Sequence, residues 1–141
     1  MKIDSIQNGI VIDHIPAGLA MTLYRYLKLD EAEGSVALLQ NVPSDKHGRK
    51  DIIKLDGVRE LNWDILGYLA PDCTVNVIVD GRISEKRHLQ LPEKLVDVIH
   101  CKNPRCITTI EQGLHHIFKI SNREKAIYRC IYCEADGTKN P

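Results

Sequence analysis

At 141 residues the chain has room for one ordinary domain or two small ones, and its 19 basic residues balance 19 acidic ones to a formal net charge of zero. That balance excludes a global field drawing the protein toward nucleic acid or an anionic membrane, so any anion it binds is held locally. No apolar run approaches the ~18 residues of a membrane span, and the start, MKIDSIQNGIVIDH, is punctuated by Asp4, Asn8 and Asp13, so the expectation is a cytoplasmic protein without a signal peptide.

In chain order, NGIVIDHI reads as a strand crowded with Ile10, Val11, Ile12 and Ile15. Pro16 then opens a helix through AGLAMTLYRYLKL, with Leu19, Leu23, Tyr26 and Leu27 on one face. SVALLQNVP and KDIIKLD read as two strands joined by the polar turn SDKHG. Asn62 is placed to cap a helix running WDILGYLA that stops before Pro71. TVNVIVDG supplies a further strand, with Cys73 before it as a small buried apolar residue. The order strand, helix, strand, strand, helix, strand is the split βαβ pattern, so the expected class is α+β with a ferredoxin-like N-terminal domain and both helices on one face of an open sheet. A linker is expected near LQLPEK, dividing residues 1–92 from 93–141.

The second part opens on four cysteines in two tight pairs, Cys101 and Cys106 in CKNPRC and Cys130 and Cys133 in CIYC. Zinc takes four soft ligands at ~2.3 Å from tetrahedral directions, and each pair on a short loop supplies two of them, so one structural zinc ion is expected on Cys101, Cys106, Cys130 and Cys133. Two disulfides are the competing reading, disfavoured by the reducing compartment and by the odd fifth cysteine. His100, His115 and His116 could each replace a ligand, but four thiolates already fill the shell, and a full shell leaves no open position for catalysis. A segment as short as residues 93–141 rarely folds on apolar burial alone, which gives the metal a purpose. KLVDVIHC, HHIFKI and KAIYRC read as its short strands, a small antiparallel-β zinc domain. The alternative is a zinc ribbon that binds nucleic acid through Lys119, Arg123, Lys125 and Arg129, yet basic residues only slightly outnumber acidic ones here. No nucleophile stands beside an evident base, so an enzyme is not expected.

The stretches GIVIDHIPAGLA, NVPSDKHGRKDIIKLDG, LAPDCTVNVIVDG, LPEKLVDVIHCKNPRCIT and YRCIYCE, in this order and at these intervals, resemble the regulatory chain of aspartate carbamoyltransferase along nearly the whole sequence. The resemblance implies a non-catalytic allosteric chain in pyrimidine biosynthesis. Its N-terminal domain would bind nucleoside triphosphates, CTP inhibiting and ATP activating, and would pair with a second regulatory chain. Its zinc domain would dock on the catalytic chains. Carried over residue by residue, the resemblance places Asp13 toward ribose, His14 near phosphate, Lys54 beside ribose and base, and Lys86 on phosphate. It adds Asn76, Ile6 and Ile83 as further contacts, Asp4 as an acidic neighbour, and Gly81 where the family carries a bulkier residue near the base. The residues agree with this chemistry: Lys54, Lys86 and Arg87 offer charge-assisted donors, and the lack of a Gly-rich phosphate cradle suits an effector that is held rather than hydrolysed. Neither nucleic acid nor a membrane is an expected partner.

Overall fold

Ile10, Ile12 and Ile15 are all fully buried, although the last step of three residues breaks the two-residue period of a strand. The strand β1 (Gly9–Pro16) solves this with a bulge between Ile12 and Ile15, where His14 takes φ 56 and lets both isoleucines reach the same core. The computed structural model describes residues 5–45, 48–58 and 60–137. Asp4, and Lys46 and His47 of the expected SDKHG turn, lie outside the described residues. The chain forms two units, residues 1–90 and 91–141.

In the first unit Pro16 closes β1 rather than opening a helix. A turn with Leu19 N–H bonded to the Pro16 carbonyl at 3.0 Å, and Gly18 at φ +94, precede α1 (Ala20–Tyr26). The expected helix shrinks because its start has no local side-chain cap; Leu19 caps nothing. The cap comes from far away in sequence. Asp51, fully buried on β3 (Gly48–Asp56), accepts Gly18 N–H at 2.9 Å and Ala20 N–H at 3.1 Å on one oxygen and Asn41 N–H at 2.9 Å on the other. Asn41 sits in a second bulge, in β2 (Ser35–Ser44) between Leu39 and Val42. Asn62 caps α2 (Trp63–Leu69) as its sequence position suggests, accepting Ile65 N–H at 3.1 Å.

β4 (Thr74–Val79) turns at Asp80 and Gly81, both at positive φ, into β5 (Arg82–His88), a strand that the sequence reading did not anticipate. The sheet order is β2-β3-β1-β4-β5 with antiparallel neighbours. It is the ferredoxin-like arrangement extended by one edge strand. Ala20 and Leu23 of α1 and Leu66 of α2 pack with Ile10, Ile12, Ile53, Leu55 and Val75 of the sheet, so both helices cover one face and leave the other open. In the β4–β5 pair the register shifts by one residue between Val77 and Ile78, with Ser84 the extra residue.

The second unit contains β6 (Lys94–Val96), a single helical turn α3 (Ile107–Ile110), β7 (Ile117–Asn122) and β8 (Ile127–Cys130), with sheet order β6-β7-β8. The expected strand KLVDVIHC ends early because Asp97 takes φ 58 and turns the chain toward Cys101. Leu95, Ile99, Phe118 and Tyr128 form a small apolar core, too little for a unit of this size to stand on apolar burial alone. Tyr128 donates its hydroxyl to the Pro92 carbonyl at 2.6 Å, and Arg123 binds the Leu91 carbonyl at 2.7 Å and Glu93 at 2.6 Å, which ties the start of the unit to its hairpin.

Candidate metal centre and effector face

The four cysteine sulfurs of the second unit lie within 4.8 Å of one another, three of the residues buried and Cys133 half-buried. Cys101 and Cys133 Sγ are 3.6 Å apart, and Cys106 and Cys130 Sγ 3.7 Å. Sulfurs at ~2.3 Å from a common tetrahedral centre stand ~3.8 Å apart, so the set fits a four-coordinate soft metal ion, and no pair is at disulfide distance. Each loop also turns N–H groups toward sulfur: the Asn103 amide toward Cys101, the Thr108 amide and hydroxyl toward Cys106, the Tyr132 and Cys133 amides toward Cys130. Burial pushes the Cys101 thiol up to about 12 and raises Cys130, whereas the Thr108 hydroxyl, 3.0 Å from Cys106 Sγ, draws Cys106 down to about 6. Four such neighbours cannot all ionise together; a divalent cation among them removes the repulsion. Cys73 belongs to the first unit, where burial raises its thiol to about 12, as suits an inert core residue.

On the open face of the first unit, cross-strand partners make a continuous row: Lys54 on β3 opposite Val11 on β1, Val11 opposite Asn76 on β4, and Asn76 opposite Lys86 on β5. Partners in register share a face, so the side chains of all four project from the helix-free side. One row toward the β4–β5 turn stand Gly9, Ile78 and Ile83, with Ile83 exposed. Gly9 has room for no side chain, since a Cβ there would lie 1.9 Å from the Leu55 carbonyl oxygen, and the Ile6 side chain approaches the same spot to 3.1 Å. One row the other way, Asp13 faces Thr74. Asp13 Oδ1 pairs with Lys50 Nζ at 3.0 Å and accepts the His14 amide at 2.6 Å, while His14 Nδ1 lies 2.9 Å from Thr74 Oγ1.

The structure thus gathers Ile6, Asp13, His14, Lys54, Asn76, Ile83 and Lys86 on one side of one sheet. It corrects one assignment. Arg87 pairs with Val75 and therefore leans to the helix side, where its guanidinium stacks 4.2 Å over the Trp63 ring and bonds Glu85 at 3.2 Å. Lys50 and Thr74 were missed; Lys50 immediately precedes Asp51, and only the β1 bulge reveals that it meets Asp13. A cavity of about 490 Å³ between the α1–β2 and β3–α2 connections sets Glu31, Glu33 and Glu60 against Lys28 among the described residues, a poor host for a polyanion.

A ferredoxin-like sheet with one open, cation-bearing face, followed by four clustered thiols fit to hold a structural metal ion, defines a two-part protein. Comparison with known proteins makes this specific. Residues 1–90 match the aspartate carbamoyltransferase regulatory chain, allosteric domain, and residues 93–140 match the metal binding domain of the same chain. Proteins named aspartate carbamoyltransferase regulatory chain are similar over nearly their whole length: 45% identity in Bifidobacterium longum, covering 97% of this chain and 99% of that one; 48% in Clostridium acetobutylicum, covering 95% and 92%; and 47% in Clostridium tetani, covering 95% and 94%. The chain belongs to the aspartate carbamoyltransferase regulatory chain family, and it is a regulatory rather than a catalytic chain. Among the described residues no helix is long and apolar enough to cross a membrane.

Proposed function

We propose that residues 1–92 bind nucleoside triphosphates on the open sheet face and that residues 93–141 dock on the catalytic chain of an aspartate carbamoyltransferase. CTP inhibits and ATP activates, in the control of pyrimidine biosynthesis. The observation that carries this reading is the Lys54–Val11–Asn76–Lys86 row, because it lies between the polar Asp13–Thr74 row on one side and the apolar Gly9–Ile78–Ile83 row on the other. Ile83, Ile78 and Ile6 offer an apolar seat for a base, Asn76, Lys54 and the Asp13 carboxylate offer partners for ribose and base, and Lys86 and His14 face the phosphates. Asp4, outside the described residues, belongs to the proposed contact set. Charge-assisted bonds of this kind contribute about 1.5–3 kcal/mol each, enough for an effector without any phosphate-cradling loop. An effector biases the enzyme only by binding one of its states better, and the expected coupling is about 1–3 kcal/mol.

The metal is proposed to be zinc, which suits four thiolates in a tetrahedral set. Cys101, Cys106, Cys130 and Cys133 would hold it, and its role is to stabilise the fold. The second unit exposes Val96, Ile107, Ile110, Leu114, Ile131 and Tyr132, more apolar surface than so small a domain needs to leave bare, and this supports docking on a partner chain. Beside Val96 and Ile131 runs a row of three exposed cations, Lys94 opposite Lys119 and Lys119 opposite Arg129. Like charges directly across strands repel, which a partner's carboxylates would relieve. The same row is the one feature that would favour nucleic acid; a DNA-binding titration across salt concentrations that showed no steep dependence would set that reading aside. Pairing of two regulatory chains through the N-terminal sheet is also proposed, since the strand edge at β2 or β5 is open within one chain. All cysteines are free, as suits the cytoplasm.

The deciding experiment is calorimetry with CTP and ATP on the parent and on Lys86→Ala. Lys86 is exposed, so its loss should weaken both nucleotides by about tenfold or more, equivalent to about 1.5 kcal/mol, and leave the fold intact. Unchanged affinity for both would move the effector site elsewhere.

A further inference from the structure

We propose that His116 is a positioning residue for the metal centre: its ring, carried on a main chain held by Asp97, accepts the Cys101 backbone amide and so fixes the first ligand loop. The inference rests on the metal reading above and extends it to residues outside the four cysteines. Of the ligand amides, Cys106 N–H bonds the Asn103 carbonyl at 3.0 Å and Cys130 N–H bonds the Ala135 carbonyl at 3.0 Å, so both are satisfied by main chain. Cys101 is different. β6 ends at Val96, so no ladder continues to Cys101, and its N–H is directed instead to His116 Nδ1 at 2.9 Å. A buried amide must find an acceptor, and here a side chain supplies it. The Cys101 carbonyl is held as well, accepting the Thr109 hydroxyl at 3.3 Å.

The main chain that carries the imidazole is itself fixed. Asp97 and His116 exchange two hydrogen bonds, His116 N–H to Asp97 Oδ1 at 2.8 Å and Asp97 N–H to the His116 carbonyl at 2.7 Å. The left-handed Asp97, at φ 58, makes this exchange possible where a continued strand would not. Its other carboxylate oxygen takes His115 Nδ1 at 2.6 Å, and the His100 ring meets the His116 ring edge-on at 4.8 Å. An Nδ1 that accepts an N–H has its lone pair engaged there and is not free to ligate a metal ion. His116 therefore acts on the ion through the geometry of Cys101, as groups just outside a ligand shell do elsewhere, where their loss costs about 10–100-fold in metal affinity.

The test uses the full chain, with zinc affinity measured against a competing chelator and the spectrum recorded with cobalt(II) in place of zinc. His116→Leu keeps bulk and removes the acceptor; it should bind zinc about 10–100-fold more weakly, retain the four-thiolate cobalt spectrum, and exchange its Cys101 amide faster. His116→Asn places a carboxamide oxygen near the former Nδ1 position and should restore affinity and amide protection. If the parent takes up no metal, the metal reading fails and this one with it. If the parent binds zinc and His116→Leu binds equally well, only the positioning role is overturned. An Asn variant as weak as the Leu variant would mean packing rather than acceptance, and a three-sulfur cobalt spectrum in the Leu variant would make His116 a ligand; either result overturns the proposal. Should the Leu variant fail to fold, the Asn variant decides: parent-like affinity with a protected Cys101 amide supports the role, and weak binding removes it.

Discussion

A carboxylate with no solvent exposure survives only when its charge is fully hydrogen-bonded, and Asp51 meets that condition with three backbone amides, two at the start of α1 and one in the β2 bulge. In KDIIKLD it reads as an ordinary strand residue, because its partners lie at Gly18, Ala20 and Asn41 and no local pattern records them. Removing it orphans three donors at once, so Asp51→Ala should lower stability by about 3–5 kcal/mol, read from urea unfolding followed at Trp63. A loss under 1 kcal/mol would show that water replaces the carboxylate freely. The cysteine residues carry a second prediction at this scale. Burial raises the metal-free thiols of Cys101, to about 12, and of Cys130, so both hold protons at neutral pH and must release them to bind metal. Affinity therefore rises with pH and falls with acid. With at least these two protons released, apparent zinc affinity should change by at least about 100-fold per pH unit near neutrality, and chelator competition at two pH values would measure it. A pH-independent affinity would mean that the thiols are already ionised.

Among the elements, those with a buried face were legible in the sequence and those without were not. β1, β3, β4 and α2 follow from alternating isoleucine and valine or from the Asn62 cap, and they put Lys54 and Asn76 on strands that share a face. β5 has no buried residue along RISEKRH, so it offers no hydrophobic period, and its pairing with β4 alone makes it a strand. Pro16 misled for a related reason: its fixed φ suits a helix start and a strand end alike, and the distant Asp51 cap settled which. The face on which Arg87 lies was equally invisible, since it depends on one extra residue. Had the Asp80–Gly81 hairpin continued without its bulge, Glu85 would stand opposite Asn76 and Lys86 would turn to the helix side; Ser84 shifts the register and puts a lysine in the row instead of a glutamate. Deleting Ser84 should leave Lys86 opposite Asn76 in a regular ladder, with CTP affinity by calorimetry kept near that of the parent. Loss of binding would show that the bulge itself shapes the site. Gly81, at φ +77, is required by the turn, and Gly81→Ala should cost about 1–2 kcal/mol in thermal unfolding, because among the described residues a new Cβ meets the end of the Gln7 side chain, at 2.9 Å, which can rotate aside.

For the molecule as a whole, the two units are held by different forces: one by a contiguous apolar core, the other by four thiolates around a metal and a few large side chains. Metal binding to such sites contributes ~10–16 kcal/mol in small zinc peptides, as much as the whole stability of a domain. Stripping the metal with a chelator or a mercurial should thus unfold residues 91–141, abolish assembly with a catalytic chain by size exclusion, and leave nucleotide binding by the first unit in place. A metal-free chain that still assembled would sink the docking role assigned to the cysteine module. The Arg87–Trp63 stack makes this separation visible without any label. Trp63 is the chain's single tryptophan and lies in the first unit, beneath a guanidinium carried on the edge strand that also bears Lys86. Excited at the red edge of the protein's absorption, the molecule reports optically on one of its halves alone. Its emission should stay silent while the metal leaves, and respond when a nucleotide draws β5 against its neighbours.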